Sequence, residues 1–82
     1  MVYVYVIESI SDATWYTGIA LDPLKRLNEY YNGKNRFTKG HRPWKTIFTE
    51  YHPNWASARQ REKYLKSAAG KNWLTKYLNL NN

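Results

Sequence analysis

The sequence predicts an α+β fold, a three-stranded antiparallel sheet flanked by helices in the order ββαβαα. Three observations lead there. Short runs of β-branched and aromatic residues are separated by turn formers, as the strands of a small sheet require. Other segments carry helical spacing and begin at residues suited to capping. At 82 residues the chain has room for one domain, and a domain this small buries only about 60% of its unfolded surface.

Residues 2–8 (VYVYVIE) are apolar on both parities. Val2, Val4 and Val6 point one way and Tyr3, Tyr5 and Ile7 the other, the pattern of a central strand covered on both faces. Ser9 to Ala13 reads as a turn and Thr14 to Ala20 as a second strand, together a hairpin. If its loop holds an even number of residues, Tyr5 and Tyr16 project from the same face, about one step apart. Gly18, inside this strand, marks a close approach. Asp22-Pro23 opens a helix, with Asp as N-cap and Pro at the first helical position. Leu24, Leu27 and Tyr31 form its apolar stripe, and Asn32-Gly33 ends it. Residues 34–43 are a basic loop or short helix. Trp44 to Tyr51 reads as a third strand in imperfect alternation. Asn54 caps a helix from Trp55 to about Ser67, and Gly70 separates it from a last helix, roughly Lys71 to Leu78.

The formal net charge is +7 and its distribution is uneven. Met1 to Leu24 holds three acids and no Lys or Arg, whereas Lys25 to Lys45 holds seven bases against Glu29 alone, and Arg59 to Lys76 six against Glu62 alone. A polyanion is the natural partner of such a chain, because neutralising phosphates releases condensed counterions. There is no cysteine, so disulfides and thiolate metal sites are excluded. No apolar run approaches the ~20 residues of a membrane span, and the start lacks the layout of a secretory signal. The cytoplasm is the expected compartment.

Three features could carry chemistry. Trp55, Ala58, Glu62, Leu65 and Ala69 step by three and four, which puts Glu62 on the inward stripe of its helix. A carboxylate there is costly unless it meets a nearby Arg or Tyr or holds a metal. Arg26 falls off the apolar stripe of its own helix, where a guanidinium can hold a phosphate with a bidentate fork. Tyr5, Tyr16 and Gly18 form the third, against the plainer reading of ordinary aromatic packing. His41 and His52 have no partner at ligand spacing and are read as surface residues.

Tyr3-Val4-Tyr5 and Tyr16-Thr17-Gly18 resemble the two motifs that name the GIY-YIG endonucleases. Asp22-Pro23-Leu24-Lys25-Arg26 fits the next element, opening a helix and placing Arg26 at the family's catalytic arginine. Phe37-Thr38-Lys39, Arg42-Pro43-Trp44-Lys45 and Arg61-Glu62-Lys63-Tyr64-Leu65-Lys66 look like stretches of the short bacterial single-domain members. The resemblance spans about residues 2 to 78, and the order and spacing of its motifs are specific. Tyr30 stands where many members have histidine, and Asn72 is the nearest equivalent of a phosphate-contacting asparagine.

What the resemblance implies is a metal-dependent endonuclease acting on nucleic acid, DNA more than RNA, in repair or processing. It implies Tyr5, Tyr16, Arg26 and Glu62 as the catalytic set, with Glu62 holding Mg²⁺ or Mn²⁺; one carboxylate suits an ion that keeps several waters. Either Tyr5 or Tyr16 would be the base, a role that needs nearby positive charge because tyrosine ordinarily titrates near ~10. Lys25, Lys34, Arg36, Lys39, Arg42, Lys45 and Asn72 would contact nucleic acid, with Phe37 and Trp44 available to stack on bases. A separate protein could supply targeting. Two rival readings are a nucleic-acid-binding module of the same fold that does not cut, and a small interaction protein whose charge only keeps it soluble.

Overall fold

The computed structural model describes residues 2–31, 40 and 42–80 of the chain. Lys34, Arg36, Phe37, Lys39 and His41, the Asn32-Gly33 helix end, and the side chains of Tyr30 and Tyr31 lie outside the described part. Within it the order is β1 (Val2–Ser9), β2 (Trp15–Ala20), α1 (Pro23–Tyr31), β3 (Trp44–His52), α2 (Trp55–Lys66) and α3 (Ala68–Leu80). The sheet is antiparallel with strand order β2-β1-β3. The sequence expectation of a ββαβαα fold with a central first strand holds.

β1 is central because it can bury both of its faces. Val2, Val4 and Val6 enter one core with Phe48, Ala58, Leu65 and Leu74, under α2 and α3. Tyr5 and Ile7 enter a second with Ala20 and Trp44, against which Tyr16 and Leu27 of α1 pack. The sheet is therefore the middle layer, with α1 on one side and the C-terminal helices on the other. The hairpin loop is Ile10 to Ala13, four residues closed by a bond from Ser9 N to Thr14 O at 2.8 Å. That even count puts Tyr16 opposite Ile7 and Gly18 opposite Tyr5, so Tyr5 and Tyr16 share a face one step apart.

Several expectations change. The imperfect alternation of β3 is a bulge: Val6 pairs with Phe48 but Ile7 with Thr46, leaving Ile47 as the extra residue. Ile47 and Phe48 consequently both reach the same core. Leu24 is not part of a buried stripe but 73% exposed; at the second position of α1 it overhangs the sheet, and Leu27 makes the contact. Trp44, offered above as a stacking surface, is wholly buried, because it sits opposite Ser9 on the α1 side of the sheet.

Gly70 does not divide the last two helices. It is a buried residue within α3, and a Cβ there would meet the Tyr64 carbonyl and come within 2.7 Å of Leu65 Cα. The break is at Ser67, whose backbone is extended. Its hydroxyl donates to Tyr64 O at 2.5 Å and accepts from Gly70 N at 3.1 Å, so one side chain ends α2 and caps α3. Glycine at position 70 is what permits the sharp turn to pack so closely.

His52 is not a surface residue. Its Nε2 lies 2.7 Å from Glu50 Oε1 and its Nδ1 3.0 Å from Ser57 Oγ. A carboxylate only accepts, so Nε2 carries the proton toward Glu50. Glu50 also accepts from Arg61 Nε at 3.1 Å. The Arg61 guanidinium in turn lies 4.4 Å from the Trp73 ring centroid and 5.3 Å from that of Tyr64. Trp73 stacks on Tyr77, and Phe48 meets both edge-on. This network ties β3, α2 and α3 together through groups far apart in the sequence.

Candidate functional site

The candidate residues are arranged along β2, an edge strand of the sheet. Tyr5 reaches this strand from β1. It is only 2% exposed, and its ring lies over Gly18: a Cβ at position 18 would stand 2.7 Å from Tyr5 Cζ and closer still to the hydroxyl. The missing side chain at Gly18 is what lets the phenol cross onto β2. Tyr16, half-buried two residues earlier, shares that side of the sheet.

Arg26 stands at the other end of β2. Asp22 caps α1 by accepting from Lys25 N at 3.2 Å, and Pro23 starts the helix. Arg26 then falls on the solvent side, with its side chain 45% exposed and 3.3 Å from Glu29 Oε2. Together with Lys25 it lines a cleft of about 450 Å³ whose floor is Ile19, Ala20 and Leu21 and whose far wall is Trp55.

α2 passes along the opposite side of the same strand. Its first residue, Trp55, borders the cleft at Ile19 to Asp22. Its last, Lys66, joins Tyr16, Thr17 and Lys71 around a smaller pocket of about 140 Å³. At a rise of ~1.5 Å per residue, Glu62 lies roughly 6 Å along the helix from Lys66 and roughly 10 Å from Trp55. Along the helix axis Glu62 therefore lies between the two pockets. Glu62 sits between the buried Ala58 and Leu65, is itself partly covered, and meets Lys66 Nζ at 3.3 Å. The inward stripe read from the sequence therefore holds at its centre but not at its ends, since Trp55 and Ala69 are exposed. Glu62 finds a lysine rather than the Arg or Tyr considered.

Arg26 and Glu62 belong to different layers, and the strand carrying Tyr16 and Gly18 runs between them. Among the described residues no three of His, Asp and Glu cluster as a metal centre. Such a cluster is unnecessary for a hard divalent ion taking one protein carboxylate, water and substrate oxygen. Glu62 fits that donor set once its carboxylate exchanges Lys66 for the ion. Of the residues expected to contact nucleic acid, Lys25 lies at the Arg26 cleft, Arg42 and Asn72 are exposed, and Lys45 lies 3.3 Å from Glu8. Lys66 and Lys71 were not singled out by sequence reasoning, because only the docking of α2 and α3 on β2 brings them to Tyr16.

The sequence profile of the GIY-YIG catalytic domain matches residues 1–77. The chain belongs to the GIY-YIG family. This domain has a nuclease-type fold; its members are generally endonucleases that use divalent ions, and nucleic acid is the substrate class it indicates. A UPF0213 protein from Syntrophus aciditrophicus is 38% identical over 66 residues, spanning 78% of this chain and 75% of that protein. Another, from Clostridium perfringens, is 34% identical over 67 residues, spanning 80% and 71%. The solution NMR structure of a UPF0213 protein from Bacillus halodurans superposes with a TM-score of 0.57 at 31% identity, covering 94% of this chain and 85% of that one. Among the described residues, no helix of this GIY-YIG chain is long and apolar enough to cross a membrane.

Proposed function

We propose that this single-domain chain is a metal-dependent endonuclease that hydrolyses phosphodiester bonds in nucleic acid, DNA more readily than RNA, in cytoplasmic repair or processing. The observation that carries the reading is the grouping at β2: Tyr16, the Tyr5 phenol over Gly18 and the Arg26 cleft at one end, with Glu62 on the helix that passes the opposite side of the strand.

Glu62 holds Mg²⁺ or Mn²⁺ in this reading. A divalent ion held there would supply Lewis-acid charge to the scissile phosphate. Arg26 exchanges Glu29 for a phosphate oxygen and offsets charge that grows in the transition state. Tyr5 or Tyr16 orients the attacking water and, in its phenolate form, takes the water's proton, while the other bonds to phosphate or water. Lys66 and Lys71, at the pocket beside Tyr16, hold the strand next to the reacting centre. Lys25, Arg42 and Asn72 add further contacts to nucleic acid, as do Lys34, Arg36 and Lys39 in this reading. Lys45 adds less, because Glu8 offsets it.

The deciding experiment is a cleavage assay on plasmid, single-stranded and branched DNA and structured RNA, with Mg²⁺ or Mn²⁺ and with EDTA. Cutting is expected to need the ion and to vanish in Glu62→Ala. Arg26→Ala is expected to lower kcat by about 10²–10³ while leaving the fold intact. A protein that binds all substrates in a salt-sensitive way and cuts none is a binding module instead.

A further inference from the structure

We propose that the cleft between α1 and the start of α2 receives an unpaired nucleobase stacked on Trp55, so that the preferred substrate is single-stranded or branched nucleic acid rather than continuous duplex. The inference rests on nucleic acid being the substrate, as in the reading above. Trp55 directly follows the N-cap Asn54. It starts the stripe that continues inward through Ala58, yet at this end of the helix the side chain overhangs the sheet and is 48% exposed. It does not face empty solvent: it walls the cleft that Lys25 and Arg26 border from α1.

The cleft measures about 450 Å³, within the ~300–1,000 Å³ that small-ligand sites occupy, and room for one nucleotide. Its floor of Ile19, Ala20 and Leu21 is apolar. Two bases and two acids line it, Lys25 and Arg26 against Asp22 and Glu29. Asp22 accepts from the Lys25 backbone N–H, and Glu29 lies at Arg26. The four charges balance, so the cleft carries no net charge of its own. What the cleft offers is an aromatic plane and an apolar base with hydrogen-bonding groups at the rim, the requirements of a nucleobase whose own phosphate is held by Arg26. A base within a duplex is stacked on both sides and paired, so only an unpaired base can present its plane to Trp55.

The test is binding in EDTA, where no cutting occurs, measured by fluorescence anisotropy on a labelled single strand, a flap and a continuous duplex. The proteins are wild type, Trp55→Ala and Trp55→Phe, each checked by circular dichroism for an intact fold. Trp55→Ala is expected to weaken single-strand and flap binding about tenfold to a hundredfold, and Trp55→Phe far less, because phenylalanine still presents a plane. A run of abasic sites is expected to weaken wild type and to leave Trp55→Ala nearly unaffected. Equal losses on duplex and single strand, or no loss in Trp55→Ala, overturn the stacking site. The cleavage assay is separate: Trp55-dependent binding without cutting overturns the nuclease reading alone, and cutting indifferent to Trp55 overturns the stacking site alone.

Discussion

Tyr5 and Gly18 share one volume across two strands, and each constrains the other. Gly18→Ala places a methyl group against the phenol of a buried tyrosine, so the ring must tilt in a packed core. The expected cost is about 1–3 kcal/mol, read by urea denaturation, with a larger proportional loss of cutting because the hydroxyl is displaced. Glu50 is the second such residue. Removing it leaves His52 and the half-buried Arg61 without their carboxylate, and Glu50→Ala is expected to cost about 1–3 kcal/mol by the same measurement. These two differ in how much the sequence discloses. Strand periodicity puts Tyr5 and Tyr16 on one side provided that the loop is even, which the structure supplies, and helical spacing alone puts Glu62 inward. His52 has no such signal, because its partners come from β3 and α2, and no spacing rule brings them together. Trp55 misleads for a different reason: a stripe continues to the end of a helix in sequence, whereas the sheet beneath it stops.

At the level of elements, the junctions hold the least expected chemistry. Ala13 closes the β1–β2 turn at a φ of 63°, a left-handed conformation that disfavours a Cβ. Ala13→Gly is therefore expected to raise stability by about 0.5–1 kcal/mol, the relief of strain being partly offset by the entropy of the unfolded glycine; a rise in Tm checks it. Ser67 serves two helices, and Ser67→Ala is expected to cost about 1 kcal/mol, since the Gly70 N–H loses its partner while the Tyr64 carbonyl keeps the backbone N–H of residue 67. Glycine reads as a breaker in sequence, which is why the sequence points to Gly70 as the boundary. The chain instead breaks at a serine and uses glycine to let two backbones approach. Caps are legible when they stand alone, as Asp22 and Asn54 do, and are hidden when one residue ends a helix and begins the next.

Over the whole molecule, charge is arranged by the fold rather than by sequence blocks. Glu8 meets Lys45, Glu29 meets Arg26, Glu50 meets Arg61 and Glu62 meets Lys66. The acids thus draw on bases from both basic stretches, while Lys25, Arg59, Lys63, Lys71 and Lys76 remain exposed. The net charge of +7 predicts a polyanion partner but not which bases serve it. In EDTA, Lys25→Ala is expected to reduce the salt dependence of DNA binding by about one phosphate contact, and Lys45→Ala by clearly less. Titration of affinity against salt for both variants checks this. The GIY-YIG architecture itself was legible as a whole because its motifs follow in order; the two-sided embrace of β2 was not, since it depends on how three helices dock.

The closeness of Tyr5 to Gly18 also bears on inheritance. Alanine at position 18 is expected to be well tolerated once position 5 has lost its bulk, and poorly before. Measured as a double-mutant cycle, Gly18→Ala and Tyr5→Ala should couple by about 1 kcal/mol or more. A lineage that keeps the phenol is thereby bound to the glycine, whereas one that discards the phenol is released to fill the space. The two codons, thirteen positions apart, should descend together as a single trait.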